Sequence, residues 1–355
     1  MTTVHCLGSG LVGSFVVKKL AEDGLNINVV DIIEKEDLEE NENIKMHVKD
    51  AMTYCKEIED NNDLFVNMLP GNLGHEVTKL LISQGRKIVD LSFSETTPEL
   101  LHKLALESGA RVLWDVGIAP GLSNMLVSYA SRIGEGIINA EVRVGGNPVE
   151  NDDEWSYMAP FSPNDVIAEY TRPARIIRER KICILPALSE RHRINVRQTG
   201  MMEAFLTDGL RSLLDTIPAE NMAEYTVRWP GHIQRFIDQR DAGIINEEDL
   251  IRKWKFDVNR EEFTWMEVNL ECKNGEKMYW NIYDEGMNGD SSMARTTGLV
   301  TASCIKQWIM DEKLIPEGVH PPESLANEVI SNILQKMKDE GVNIDGPDIV
   351  LNYKF

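Results

Sequence analysis

The 355-residue sequence contains little cysteine, few basic residues and no long apolar run. Its five cysteines are widely scattered and match neither a disulfide framework nor a metal site, so we expect no metal and a reducing cytoplasm. None of its apolar runs reaches the length of a transmembrane helix, and the first residues show no basic, cleavable leader. We therefore predict a cytoplasmic protein with no secretory signal and no membrane partner.

Basic residues are outnumbered by acidic ones, 37 Lys and Arg against 58 Asp and Glu, which gives a net charge of −21. This excess argues against nucleic acid or an anionic membrane as a partner, because both would be repelled. It is compatible with a cationic substrate, although solubility alone also accounts for such a charge. The length exceeds one common domain and fits two.

The most informative feature that is present is a glycine-rich turn between the apolar run Val4–Leu7 and a helical pattern that continues to Glu22. Its residues are Gly8, Ser9, Gly10, Leu11, Val12 and Gly13. The first glycine permits a tight turn, the second lets the backbone approach a pyrophosphate, and the third allows close helix packing. The pattern predicts a dinucleotide site; the alternative is an α/β turn that merely needs small residues.

Asp31 ends the second predicted strand, at the distance from the turn where dinucleotide sites carry an acidic residue. Its carboxylate would accept the ribose hydroxyls and repel a 2′-phosphate, so we predict NAD rather than NADP as the cofactor. Further cofactor contacts are expected at the ends of later strands and the starts of later helices. These predicted residues are Asp50, Asn67, Leu69, Pro70 and Ser92.

The order of predicted elements divides the chain into three segments. Residues 1–121 alternate between short apolar strands and helices, which predicts an α/β Rossmann domain with a doubly wound parallel sheet. Residues 122–294 show longer alternating patterns, which predict an α+β domain with a mostly antiparallel sheet for substrate binding, catalysis and oligomerisation. Residues 295–355 are predicted as a helical return that packs on the Rossmann domain. The strands predicted in the first segment are Val4–Leu7, Ile27–Asp31, Ile44–Val48, Leu64–Leu69, Lys87–Leu91 and Arg111–Asp115.

Four further segments mix glycine or proline with charged and aromatic residues, a composition typical of binding loops. They contain the motifs DVGIAPGLSN from Asp115, EYTRPAR from Glu169, TDGLRS from Thr207 with RWPGH from Arg228, and SMARTTG from Ser292. These five ordered motifs resemble the saccharopine dehydrogenase-like family, and most closely its lysine 6-dehydrogenases. The resemblance extends over nearly the whole chain.

The resemblance implies NAD-dependent oxidative deamination of the ε-amino group of L-lysine, which gives 1-piperideine-6-carboxylate. It also implies a homodimer or larger assembly formed through the β-rich domain. Saccharopine reductases and carboxynorspermidine dehydrogenases share the motifs and reduce an imine adduct with NAD(P)H, so imine reduction is one alternative. A non-catalytic NAD-binding regulatory protein is an alternative of a different class.

Hydride removal from a carbon that bears nitrogen requires a deprotonated amine, and a substrate carboxylate calls for arginine. Asp115 is a candidate to hold the ε-ammonium and help remove its proton, with capping of the following turn as the alternative. His232 is a candidate proton shuttle, with capping or packing as the alternative. The arginines within the motifs are candidates for the carboxylate, with ion pairing as the alternative: Arg172, Arg211, Arg228 and Arg295.

Overall fold

A computed structural model describes residues 2–59, 63–152 and 154–351. The chain forms two compact units. The first comprises Met1–Leu122 and Thr297–Met337, and the second comprises Ser123–Thr296 and Lys338–Phe355.

The elements follow in chain order. The first part contains β1 (Thr3–Leu7), α1 (Leu11–Glu22), β2 (Asn26–Asp31), α2 (Glu36–Glu39), β3 (Ile44–Val48), α3 (Ala51–Glu57), β4 (Leu64–Asn67), α4 (Gly71–Ser83), β5 (Lys87–Asp90), α5 (His102–Ser108) and β6 (Arg111–Trp114). The middle contains α6 (Leu122–Ile133), β7 (Ile137–Pro148), α7 (Pro163–Thr171), β8 (Ala174–Arg178), β9 (Lys181–Leu185), β10 (His192–Val196), β11 (Gly200–Leu206), α8 (Leu213–Thr216), β12 (Ala219–Arg228), α9 (His232–Asp241), α10 (Glu247–Lys253), β13 (Glu262–Cys272) and β14 (Lys277–Glu285). The last part contains α11 (Ser292–Met310), β15 (Gly318–His320), α12 (Asn327–Asp339) and β16 (Asn343–Asp345).

The first unit is built on a parallel sheet, which confirms the predicted Rossmann architecture. In the described part of the chain its seven strands lie in the order β15-β6-β5-β4-β1-β2-β3, and every neighbouring pair is parallel. All four residues of β4 are buried, as expected for a strand in the middle of such a sheet. The six predicted strands agree with β1–β6 to within two residues at each end.

The second unit is built on a mostly antiparallel sheet, as predicted. The main path of this sheet runs β10-β11-β12-β7-β13-β14-β16, and β8 pairs with both β12 and β9. Only the pair β12–β7 is parallel among the pairings of this sheet in the described residues. A separate core of aromatic and aliphatic side chains packs around α7, α9 and α10 of the same unit.

The C-terminal segment differs from the predicted helical return over residues 295–355. Residues 297–337 cluster with the first unit and contribute β15, which pairs with β6. Residues 338–351 cluster with the second unit, where β16 pairs with β14 and the indole nitrogen of Trp280 donates to the carbonyl oxygen of Pro347 over 3.1 Å. The prediction is wrong for these last residues because Asn343–Asp345 extends the edge of the second sheet.

Three further observations concern the helices, the cysteines and the side chains that could bind a metal. In the part of the chain that the structure describes, every helix is too short or too polar to cross a lipid bilayer. The five cysteines are free thiols. Over the same described residues, histidine, cysteine and acidic side chains nowhere gather in groups of three that would suit a metal ion.

Candidate dinucleotide and substrate sites

Two of the three glycines in the turn between β1 and α1 are required by the protein itself. Gly8 has a φ of +93°, and a Cβ atom there would lie 3.0 Å from the carbonyl oxygen of Met68. A Cβ atom at Gly13 would lie 2.4 Å from the carbonyl oxygen of Gly8. Only glycine therefore lets helix α1 start this close to the strand it follows.

Gly10 has neither of these steric reasons to be glycine. Its backbone is extended, with φ −65° and ψ −166°, and a Cβ atom there would meet no described atom within 4 Å. The space beside Gly10 suits a group from outside the protein, and it lies at the N-terminus of α1. Leu11 and Val12 form the first turn of this helix, whose N–H groups lack intrahelical acceptors and attract a phosphate anion. The turn therefore fits the pyrophosphate of a dinucleotide.

Asp31 is fixed against the glycine turn. Its Oδ2 accepts hydrogen bonds from the backbone N–H of Ser9 over 2.7 Å and from the Ser9 hydroxyl over 2.8 Å. Its Oδ1 accepts from the N–H of Ile33 over 3.1 Å. A carboxylate offers about four acceptor positions, so the three donors leave room for a ribose hydroxyl.

The loop after β4 lies against the same turn. The carbonyl of Met68 and the side chain of Leu69 are the nearest neighbours of Gly8, and Pro70 precedes the first residue of α4. Asn67 is buried and donates to the carbonyl oxygen of Gly74 over 2.9 Å. Its Oδ1 also accepts from the N–H of Leu69 over 3.3 Å. The Asn67 side chain therefore holds the loop through hydrogen bonds to Leu69 and Gly74.

Sequence reasoning missed the buried carboxylate that organises the end of β5. Asp90 Oδ1 accepts from the N–H and hydroxyl of Ser92 over 2.7 and 2.5 Å, and Asp90 Oδ2 accepts from the hydroxyl of Thr78 over 2.6 Å. Thr78 in turn accepts from the Asn67 amide over 2.8 Å. Burial raises the pKa of Asp90 to about 6, and the negative charge of Asp115 adds to this effect. An aspartate two residues before a serine at a strand end is a turn pattern that the sequence does contain.

Asp50, by contrast, is the N-cap of α3. Its Oδ1 accepts from the N–H and hydroxyl of Thr53 over 2.8 and 2.9 Å, and these hydrogen bonds lower its pKa. Asp50 follows β3 and therefore lies at the carboxyl edge of the first sheet. Its contact with the cofactor stays a prediction.

Asp115 follows β6 at the same edge of the sheet and is buried, with a φ of +54°. The left-handed region is uncommon for residues other than glycine, but aspartate adopts it more readily than most. Trp114 is the register partner of Asp90, which places the two carboxylates at the ends of neighbouring strands.

In the second unit, His232 is buried and held at both ring nitrogens. Nδ1 lies 2.7 Å from the carbonyl oxygen of Trp155, and Nε2 lies 2.8 Å from the hydroxyl of Tyr170. A carbonyl only accepts, so Nδ1 carries the proton and Nε2 accepts from Tyr170. Burial lowers the pKa of His232 to about 3. A proton shuttle at neutral pH needs a histidine that titrates there, so the geometry favours packing, the alternative interpretation of this residue.

Arg228 lies in the same cluster. Its Nε donates to the Tyr170 hydroxyl over 2.9 Å, and its guanidinium lies 4.3 Å from the ring centre of Tyr157. A terminal nitrogen donates to Glu169 Oε2 over 3.2 Å. The structure thus joins Arg228 and His232 through Tyr170.

The other arginines lie apart from this cluster or at its rim. Arg295 is buried and donates to both carboxylate oxygens of Asp284, over 2.8 and 3.2 Å, and to the carbonyl oxygen of Glu340 over 2.8 Å. Arg295 therefore forms an ion pair with Asp284, which was the alternative interpretation of this arginine. Arg211 is buried in the turn before α8 with a φ of +53°, and Arg172 is partly exposed at the C-terminus of α7.

A Rossmann unit with an open glycine turn, joined to a unit with a mostly antiparallel sheet, defines a two-domain NAD(P)-binding oxidoreductase. The chain belongs to the saccharopine dehydrogenase family. Residues 4–112 match the family model described as the saccharopine dehydrogenase NADP binding domain, and residues 117–342 match the saccharopine dehydrogenase C-terminal domain.

Solved structures share this fold. Saccharopine dehydrogenase (L-Glu forming) from Saccharomyces cerevisiae superimposes with a TM-score of 0.76 at 16% identity, over 98% of this chain and 100% of that one. Homospermidine synthase from Legionella pneumophila, solved in complex with NAD, gives a TM-score of 0.70 at 14% identity, over 98% and 91% of the two chains.

Curated relatives include the mitochondrial alpha-aminoadipic semialdehyde synthases of Bos taurus and Mus musculus. They are 26% and 24% identical over 191 residues, which is 50% of this chain. The match spans only 21% of the length of each relative.

Proposed function

We propose that the protein catalyses the NAD-dependent oxidative deamination of the ε-amino group of L-lysine, giving 1-piperideine-6-carboxylate. One observation carries the proposal. Because all strands of the first sheet are parallel, their carboxyl ends meet at one edge, where the glycine turn, the Asn67 loop and the carboxylate of Asp115 lie. This edge combines a dinucleotide site with an acceptor for a cation.

The preference for NAD is supported by how Asp31 is held. Ser9 fixes the carboxylate at the glycine turn, where it would accept ribose hydroxyls and repel a 2′-phosphate. When bound, the nicotinamide supplies the hydride acceptor. The chain's own residues hold the pyrophosphate at Gly10 and border the dinucleotide with the loop from Asn67 to Pro70.

The substrate groups are assigned by charge. Asp115 contributes a carboxylate that attracts the ε-ammonium and the positive charge that develops on the ε-carbon as hydride leaves. The α-carboxylate requires an arginine. The candidates for this role are the four arginines of the motifs, Arg172, Arg211, Arg228 and Arg295. Of these, Arg228 and Arg295 donate to carboxylates of the second unit.

Imine reduction with NAD(P)H is the second candidate function. The fold shared with the yeast saccharopine dehydrogenase supports it. A non-catalytic NAD-binding protein would use only the first unit. We further propose a cytoplasmic homodimer formed through the second sheet.

The test is to incubate the protein with NAD and L-lysine at alkaline pH and follow the reduced nicotinamide and the cyclic imine by absorbance and mass spectrometry. Norleucine, which lacks the ε-amine, should give no reaction, and cadaverine, which lacks the carboxylate, should react with a raised KM. Turnover only of NAD(P)H with an aldehyde and an amine would replace the proposal by imine reduction. Binding of NAD without any turnover would support the regulatory alternative.

A further inference from the structure

A buried network of hydrogen bonds connects Asp90, the last residue of β5, to the end of β4. Thr78, on helix α4, accepts a hydrogen bond from the Asn67 amide nitrogen over 2.8 Å and donates to Asp90 Oδ2 over 2.6 Å. The direction of both bonds is fixed, because an amide nitrogen only donates and Thr78 has a single hydroxyl hydrogen. Asp90 Oδ1 also accepts from the N–H and the hydroxyl of Ser92. The ionised carboxylate of Asp90 is therefore the acceptor at which the network ends.

The network reaches the glycine turn through the loop after β4. Asn67 Oδ1 accepts from the N–H of Leu69 over 3.3 Å, which also identifies the other amide atom of Asn67 as its nitrogen. A Cβ atom at Gly8 would lie 3.4 Å from Leu69 Cδ2 and 3.0 Å from the carbonyl oxygen of Met68. A continuous series of contacts thus extends from the carboxylate at the end of β5 to the glycine turn. All of its members belong to the first unit.

The segment after β5 packs closely against the start of α4. A Cβ atom at Gly74 would lie 2.2 Å from Ser92 Cβ, and a Cβ atom at Gly71 would lie 2.4 Å from the carbonyl oxygen of Phe93. Because no space separates the two segments, a shift of Ser92 would displace the first turn of α4. The hydrogen bonds from Ser92 to Asp90 therefore help to hold this turn in place.

The order of the strands indicates which half of a dinucleotide lies beside this network. Strand β1, which leads into the glycine turn, lies between β2 and β4. Asp31 ends β2, and the ribose of the adenosine half is expected there. The nicotinamide half is then expected on the other side of the glycine turn, towards β4 and β5.

We propose that Asp90 is a positioning residue for the nicotinamide half of the dinucleotide. Through Thr78 and Asn67 it sets the position of the loop Met68–Pro70 and thereby the affinity for NAD. Asp90 is enclosed, with 1% of its surface exposed, so it acts on the dinucleotide through the loop and not by contact. The inference rests on the proposed function only for the placement of the dinucleotide at the glycine turn.

The test measures the affinity for NAD and for ADP, which has the adenosine and the two phosphates but lacks the nicotinamide half. Calorimetric titrations are made at about pH 8, because burial raises the pKa of Asp90 to about 6 and the carboxylate is then ionised. Thr78→Val removes the hydroxyl that Asp90 accepts from and nearly keeps the shape of the side chain. It should weaken NAD binding by roughly threefold to thirtyfold, the range for residues coupled to a binding site, and leave the affinity for ADP unchanged.

Asp90→Asn should act in the same direction, because an amide replaces one of the two acceptor oxygens by a donor. Thr78→Ser keeps the hydroxyl and should restore the wild-type affinity for NAD. If Asp90→Asn does not fold, Thr78→Val and Thr78→Ser decide the question between them. Urea unfolding checks that every variant is folded at the temperature of the titrations.

Asp63→Asn is a matched control. Asp63 also accepts from a backbone N–H and a side chain of the first unit, those of Thr3 and His5. It precedes β4 and therefore lies at the opposite edge of the sheet from the glycine turn. Asp63→Asn should leave the affinities for NAD and ADP unchanged.

Three results would overturn the inference. The first is wild-type affinity for NAD in the folded Thr78→Val variant, and the second is an equal loss of affinity for NAD and ADP, which indicates a general effect on the fold. The third is a loss in Thr78→Ser as large as that in Thr78→Val, because the hydroxyl would then not be the cause. The titrations contain no lysine, so a wild type that binds NAD without oxidising lysine would contradict only the proposed function.

Discussion

Replacing Gly10 and Gly13 separately by alanine should affect two different properties of the protein. At Gly13, a Cβ atom would lie 2.4 Å from the carbonyl oxygen of Gly8, and such overpacking costs about 1–3 kcal/mol. The helix preference of alanine offsets at most about 1 kcal/mol of this loss. Gly13→Ala should therefore be destabilised by about 1–2 kcal/mol.

At Gly10, the added Cβ atom meets no described atom within 4 Å, and the backbone already has a conformation open to alanine. Gly10→Ala should stay within about 1 kcal/mol of the wild type in stability, the difference expected for a change of N-cap. Its methyl group would occupy the space assigned to the pyrophosphate. NAD affinity should therefore fall at least about tenfold, or about 1.4 kcal/mol.

Urea unfolding measures the stability of both variants, and calorimetric titration with NAD measures their affinity. The expected result is a crossed pattern, in which Gly13→Ala loses stability and Gly10→Ala loses affinity while staying folded. Wild-type NAD affinity in Gly10→Ala would refute the placement of the pyrophosphate at this turn. Equal unfolding of the two variants would refute the steric reasoning.

Three further predictions follow from single contacts. Asp31→Ser combined with Ile32→Arg should raise the ratio of kcat/KM with NADP to kcat/KM with NAD, because the exposed position 32 then offers a cation to the 2′-phosphate. An unchanged ratio would contradict the placement of the ribose hydroxyls at Asp31. His232, whose pKa burial lowers from 6.5 to about 3, binds a proton more readily in the unfolded chain, so the free energy of unfolding should fall by about 2 kcal/mol between pH 6.5 and about 4.5. His232→Gln should lose this part of the pH dependence in urea titrations, and a variant that keeps it would show that another group is responsible. Arg295→Met should lower the free energy of unfolding by about 3–5 kcal/mol, because Asp284 is then left buried and unpaired, and adding Asp284→Leu should recover much of the loss; additive losses would contradict this account.

Features carried by local periodicity were predictable from the sequence. Each strand from β1 to β6 is a short apolar run between helices, and the glycine turn with Asp31 has a fixed spacing along the chain. By contrast, β15 and β16 are three residues each and exist because they add to the edges of sheets formed by distant residues. A strand of three residues is too short to show the hydropathy pattern by which a strand is recognised in a sequence.

The polar contacts were harder to predict because each depends on a partner far along the chain. Arg228 meets Glu169 across 59 positions, and His232 meets Trp155 across 77, so the sequence marks these residues as unusual without assigning their roles. Asp90 was missed because the hydroxyl that it accepts from belongs to Thr78, which lies 12 positions earlier on helix α4. The sequence around Asp90 does not show that the two side chains meet. The motifs located the candidate residues, and the tertiary contacts identified the partners of Arg228, His232 and Arg295.

The measurement that tests the proposed function most directly is hydride tracing with lysine deuterated at the ε-carbon. The protein is incubated with this substrate and NAD, and the reduced nicotinamide is isolated and examined by mass spectrometry and NMR. Oxidation of the ε-amine predicts deuterium at C4 of the nicotinamide, and lysine deuterated at the α-carbon should leave the nicotinamide unlabelled. Label from the α-carbon, or no reduced nicotinamide with either substrate, would contradict the proposal.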